Sequence, residues 1–151
     1  MSDFKFSIII SAYNSEKWIK KSIESILTQT LNFKENIEII LINNGSKDNT
    51  HEICEEYALK YPENIKYICK KHEGNGINRN LGLAYAKGDY ISFLNGEDYL
   101  SKNSLKNILK FFKEHENIDI VSAVPTFLNL KNNNEILKSK YEKSRIINLT
   151  T

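Results

Sequence analysis

Residues 6–12, FSIIISA, are a short, β-branched and nearly continuous apolar run. A strand with one wet face alternates apolar and polar residues, whereas a run that is apolar at both parities suits a strand covered on both faces, as in parallel sheets. Phe6–Ala12 is therefore read as the first, central strand of an α/β sheet. Working outward, the signal recurs at 37–42 (IEIILI), 65–69 (IKYIC), 90–94 (YISFL) and 118–124 (IDIVSAV). Helical spacing fills the gaps. Ser15 is placed to cap a helix carrying Trp18, Ile19, Ser22, Ile23, Ile26 and Leu27, and the turn residues 43–50 (NNGSKDNT) lead into one carrying Ile53, Cys54, Tyr57, Ala58 and Tyr61, ended by Pro62. Gly74 and Gly76 open a short helix from about residue 77 to 86, stopped by Gly88, and Ser101 caps another with Leu105, Ile108, Leu109 and Phe112.

Strict strand–helix alternation implies right-handed crossovers and a three-layer α/β/α fold with a mostly parallel, Rossmann-like sheet. Ligands of such sheets bind beyond the carboxyl ends of the strands, which directs attention to the loops after the first, second and fourth. Residues 1–128 are expected to form this domain and residues 129–151 a polar extension, with a hairpin across the Asn run at 132–134.

Bulk properties remove several classes of function. With 151 residues, 40% hydrophobic and 26% charged, the chain suits one soluble domain with a full core. Its 21 basic and 19 acidic residues are spread along the length and leave a net charge of +2, so no broad field favours nucleic acid. No apolar run approaches the roughly 20 residues of a spanning helix. Any membrane association is expected to be peripheral, at the inner face, or supplied by sequence outside this chain. Cys54 and Cys69 form no Cys-x-x-Cys pair and are expected as two buried thiols in a reducing cytoplasm.

The chemistry-bearing candidates lie at strand ends. Asn95-Gly96-Glu97-Asp98 places two adjacent carboxylates after the fourth strand, with Gly96 allowing a tight turn; hard oxygens of this kind hold a divalent cation that bridges diphosphate oxygens. Alone, the same loop reads sooner as a solvated acidic turn with Asp98 as a helix N-terminal charge. Arg79 stands at the start of a helix, where a guanidinium and unpaired N–H groups neutralise diphosphate. The glycines at 74 and 76 follow the third strand rather than the first, which counts against a nicotinamide-dependent oxidoreductase. His51, His72 and His115 lack metal-ligand spacing and no Ser sits in a nucleophile elbow, so hydrolysis has no support.

Taken in order, four blocks resemble the inverting glycosyltransferases of family 2, which have the nucleotide-diphospho-sugar transferase (GT-A) fold. They are 6–16 (FSIIISAYNSE), 25–30 (SILTQT), 38–50 (EIILINNGSKDNT) and 76–94 (GINRNLGLAYAKGDYISFL). The resemblance implies nucleobase contacts from Ala12, Tyr13, Asn14, Glu16, Asn43 and Asn44, and a diphosphate contact from Arg79. It also implies ribose and metal contacts from the acidic loop: Asn95 and Gly96 on the nucleotide side, Glu97 and Asp98 on Mn2+ or Mg2+. The implied partners are a nucleotide-sugar donor, UDP-linked in most such enzymes, and an acceptor hydroxyl on a bacterial surface glycan or glycolipid.

Three departures bear on that reading. The family usually has Asp-Asp at Asn43-Asn44 and an Asp-x-Asp-Asp loop at residues 95–98. An amide both donates and accepts where a carboxylate only accepts, so preference for uracil is loosened and the cation is held more weakly. The acceptor-binding half, with its general-base carboxylate, is expected beyond Thr151. A noncatalytic sugar-nucleotide-binding or interaction module with a degenerate active site stands as the alternative.

Overall fold

The structure, a computed structural model, describes residues 4–115 and 118–121, together with the strand backbones at 127–128 and 135–137. Its elements are β1 (Phe6–Ala12), α1 (Ile19–Leu27), α2 (Phe33–Asn36), β2 (Ile37–Asn44), α3 (Thr50–Lys60), β3 (Ile65–Lys70), α4 (Asn75–Tyr85), β4 (Tyr90–Asn95), α5 (Ser104–Glu114), β5 (Phe127–Leu128) and β6 (Glu135–Leu137). The chain divides into two compact units, residues 1–106 and 107–151.

In the first unit four parallel strands run in the order β3-β2-β1-β4. The two interior strands are the two most apolar runs. All eight residues of β2 are buried, and six of the seven in β1. Alternation sends Ile9, Ile40 and Ile42 to one face, where Ile68, Leu81 and Ala86 pack on them beneath α4. The odd residues of β2 face the other layer, where α3 lies on β2 and β3 and contacts α1. Each buried Ile contributes on the order of 1.5–3 kcal/mol.

Two devices seat α4 closely. Gly82 is buried, and a Cβ there would lie 2.4 Å from Ile9 Cγ2, so only a hydrogen lets the helix approach β1. Below it, the buried Glu38 carboxylate accepts from Ser7 Oγ and from the Lys87 amide, both at 2.5 Å, while Ser7 Oγ accepts from the Gly88 amide at 2.8 Å. The turn from α4 into β4 is thereby fastened to β1 and β2.

Several expectations are corrected. Ser15 does not cap α1 through its side chain: its carbonyl accepts from the amides of Trp18 and Ile19, its Oγ donates to Tyr13 O, and the helix begins at Ile19. The hydroxyl of Ser101 pairs with that of Ser104, where α5 starts three residues later than its expected cap. Cys54 is buried, and burial pushes its thiol up to about 12, but Cys69 is exposed because β3 is an edge strand. The fifth strand expected at 118–124 is absent from 118–121, and residues 122–124 lie outside the described residues. In the second unit β5 and β6 pair antiparallel across the Asn run.

Gly82→Ala isolates the close approach of α4. Alanine favours a helix interior by about 1 kcal/mol, yet the clash with Ile9 is expected to dominate, for a net loss of about 1–3 kcal/mol. A lower urea midpoint at unchanged m-value is the result that checks it.

Candidate functional site at the strand ends

The loops after β1, β2, β3 and β4 gather at the carboxyl end of the sheet, and side chains tie the first three of them together. Between the first two loops the Asn14 amide donates to Ser46 Oγ at 3.0 Å, and Asn14 Oδ1 accepts from the Lys47 amide at 2.9 Å. Asn14 sits at φ 49°, a left-handed conformation that Asn tolerates. Asp48 is the hub of the next layer. Its Oδ2 accepts from the Glu16 amide at 3.0 Å and its Oδ1 from the Thr50 amide and hydroxyl at 3.1 and 2.6 Å, while Thr50 Oγ1 accepts from the Ser15 amide at 2.8 Å. Burial pushes the Asp48 carboxyl up, but these donors outweigh it and hold it below the ordinary carboxylate value. Glu16 returns the contact, its Oε2 accepting from the Asn49 amide at 3.0 Å.

Asn43 and Asn44 end β2 with only 1% of their surface exposed. Asn43 Oδ1 accepts from the Ser46 amide at 3.0 Å and its Nδ2 donates to Tyr67 Oη at 3.1 Å. Tyr67 Oη also lies 2.7 Å from His51 Nδ1. Burial pushes the Tyr67 hydroxyl above its ordinary range. Asn44 grips the backbone of Glu73 from both ends, Nδ2 donating to Glu73 O at 2.7 Å and Oδ1 accepting from its amide at 2.8 Å. A carboxylate at either position would lose the donating half of its pairing.

That grip carries the loop after β3 over the loop after β2. Gly45, at φ 75°, lies so close beneath it that a Cβ would stand 2.7 Å from the His72 amide nitrogen. His72 Nδ1 donates to Asn44 O at 3.1 Å, and its ring lies against Tyr13 with centroids 4.2 Å apart. Tyr13 keeps 42% of its surface exposed. Together they make an aromatic shelf at the carboxyl end of the sheet.

The acidic loop closes the other side. The Gly96 amide donates to Ser11 O at 3.0 Å, and Gly96 is buried where a Cβ would meet Ser15 Oγ at 3.0 Å and Ala12 Cβ at 3.1 Å. Asn95 Nδ2 donates to Asp98 Oδ2 at 2.8 Å. Behind the loop, Ser25 Oγ accepts from the Leu100 amide at 3.0 Å. Gln29 Nε2 donates to Ser101 O at 2.7 Å and Gln29 Oε1 accepts from the Leu105 amide at 3.1 Å. Lys21 Nζ lies 3.8 Å from the centroid of the Tyr99 ring. Arg79 is exposed on α4, its guanidinium 5.6 Å from the centroid of Phe93, two residues before Asn95.

The expected residues thus sort by position. Tyr13, Asn14, Arg79, Asn95, Glu97 and Asp98 are exposed, Glu16 is half-buried, and Ala12, Asn43, Asn44 and Gly96 lie beneath, shaping the loops. Sequence reasoning left out His72, Asp48, Thr50, Tyr67 and Gln29. Asp48 and Thr50 carried a readable signal, a side-chain acceptor two residues before a helix start; His72 and Tyr67 carried none, because their partners come from other strands. Among the described residues no three of His, Cys, Asp and Glu come together as a metal cage.

The glycosyl transferase family 2 model matches residues 7–150, and the chain belongs to that family. It is 43% identical over 97% of its length to the minor teichoic acid biosynthesis protein GgaB of Bacillus subtilis, and 40% identical over 95% to GgaA of the same organism. It spans only 16% and 33% of those two proteins. Among solved structures it is similar to S. aureus TarS residues 1–349 in complex with UDP-GlcNAc, with a TM-score of 0.68 and 34% identity over 75% of this chain and 32% of that one.

Asp48 gives these loops a pH signature. Its carboxyl is held down by folding, so its stabilisation is present above the unfolded value of about 3.9 and is lost as pH falls through the folded value. Acid-unfolding curves followed by circular dichroism are expected to show Asp48→Asn less stable than the parent at neutral pH, with the gap closing below that folded value.

Proposed function

We propose that this chain is the donor-binding part of an inverting glycosyltransferase, taking a nucleotide-diphospho-sugar, with UDP as the nucleotide, for transfer to an acceptor hydroxyl of a bacterial surface glycan or glycolipid. The observation that carries it is the convergence of an exposed aromatic shelf, an exposed arginine and an acidic loop on one sheet end. The names of the relatives support both halves: GgaA and GgaB belong to teichoic acid biosynthesis, and TarS is seen with UDP-GlcNAc.

In this reading Tyr13, backed by His72, stacks on the base, and Asn14 lies at the pocket mouth. Asn43, Asn44 and Glu16 act by holding the loops. Arg79 neutralises the diphosphate and Asn95 and Gly96 border the ribose. Glu97 and Asp98 fit a divalent cation as two hard carboxylates on a tight turn, with diphosphate oxygens supplying what the chain does not. Bound there, Mn2+ or Mg2+ would stabilise the charge on the departing diphosphate. Inversion needs a base to take the acceptor proton, and none is assigned within these residues. Residues 1–128 form the donor domain and 129–151 begin the acceptor side. No helix among the described residues is long and apolar enough to cross a membrane, which fits work at the inner membrane face through peripheral contact.

Calorimetric titration with UDP is expected to show binding, and Tyr13→Ala is expected to weaken it about tenfold, since base–aromatic stacking is worth about 1–3 kcal/mol. The proposal fails if no nucleoside diphosphate binds, with Mn2+ present or absent.

A further inference from the structure

The acidic loop is closed by a contact that an acidic residue at position 95 could not make. Asn95 Nδ2 donates to Asp98 Oδ2 at 2.8 Å, and the Asp98 amide donates back to Asn95 O at 3.0 Å. The orientation of the amide is set by chemistry: an ionised carboxylate only accepts, so nitrogen must face Asp98. We propose that Asn95 takes the place of a cation in shaping this loop, so that the loop stands ready for the diphosphate without metal and by itself holds a divalent ion only weakly.

Three observations carry this. The loop is anchored independently at its start, where the Gly96 amide is held by Ser11 O, and from behind by Ser25 and Gln29. Its two ends are then joined by the amide hydrogen, a charge-assisted bond roughly twice as strong as a neutral one. Finally, no third carboxylate, His or Cys among the described residues joins Glu97 and Asp98, so a cation arriving alone finds too few oxygens and must compete with the amide for Asp98. For Asn95 to ligate through oxygen its amide has to turn over, and the bond to Asp98 breaks. An aspartate at position 95 reverses the sign: two carboxylates within hydrogen-bond reach repel until a cation or proton lies between them.

The nucleotide half of this inference rests on the donor-binding reading; the metal half does not. Mn2+ is titrated into the nucleotide-free chain and free ion is followed by electron paramagnetic resonance, for the parent, Asn95→Asp and Asn95→Ala. Asn95→Asp is expected to bind Mn2+ at least about tenfold more tightly than the parent, the equivalent of one charge-assisted hydrogen bond exchanged for a ligand. Asn95→Ala, which removes the competing amide without adding charge, is expected to gain about threefold, a fraction of the same bond, and it serves if Asn95→Asp does not fold. In parallel, chelating the metal is expected to change UDP affinity little in the parent and to lower it about tenfold in Asn95→Asp, the same bond again. The inference is overturned if the nucleotide-free parent binds Mn2+ as tightly as both variants, or if chelation abolishes UDP binding by the parent. Absence of UDP binding in every condition would refute the donor-binding reading, while the Mn2+ titration would still decide the role of Asn95.

Discussion

Burial of β2 on both faces is the constraint on which the rest depends. A strand whose eight residues are all covered has no water for its polar side chains, so Asn43 and Asn44 at its carboxyl end must find partners within the protein. They find them in neighbouring loops: Ser46 and Tyr67 for the first, both backbone groups of Glu73 for the second. The cost of burying two amides is met by making them the ties that position the pocket. Glu38 plays the same part at the other end of the strand, where its carboxylate joins Ser7 to the turn at Lys87.

This gives the amide-for-carboxylate exchanges a structural meaning. Buried at 1% exposure, an ionised aspartate at 43 or 44 would need its charge compensated and would have nothing to donate to Tyr67 Oη or Glu73 O. Asn95 is exposed, yet follows the same logic, because its amide supplies the hydrogen that Asp98 accepts. At all three positions the change converts a group that needs a donor into one that also provides a donor. The loops are tied by the chain's own hydrogen bonds where charged side chains would have called for external ones.

Much of the fold was legible because β1 and β2 are apolar at both parities and their neighbours obey helical spacing. Errors fell where a local signal competed with a tertiary one. Ser15 looks like a cap, but its amide is taken by Thr50 and its hydroxyl by Tyr13 O, so α1 starts later. Cys69 lies in an apolar run, yet β3 is at the sheet edge and leaves it exposed. Gln29 was visible within a motif, but its task of holding Ser101 and Leu105 depends on contacts more than seventy residues away.

The sequence by itself determined the parallel α/β architecture and the family, because periodicity, turn residues and ordered motifs are local properties of the chain. Only the tertiary structure decided which of the strand-end residues are exposed and which are buried beneath them. It also brought His72 against Tyr13 and turned the Asn95 amide toward Asp98. Side-chain hydrogen bonds have direction, and apart from Asn95–Asp98 the partners that tie these loops come from separate segments, so they cannot be read from one segment alone.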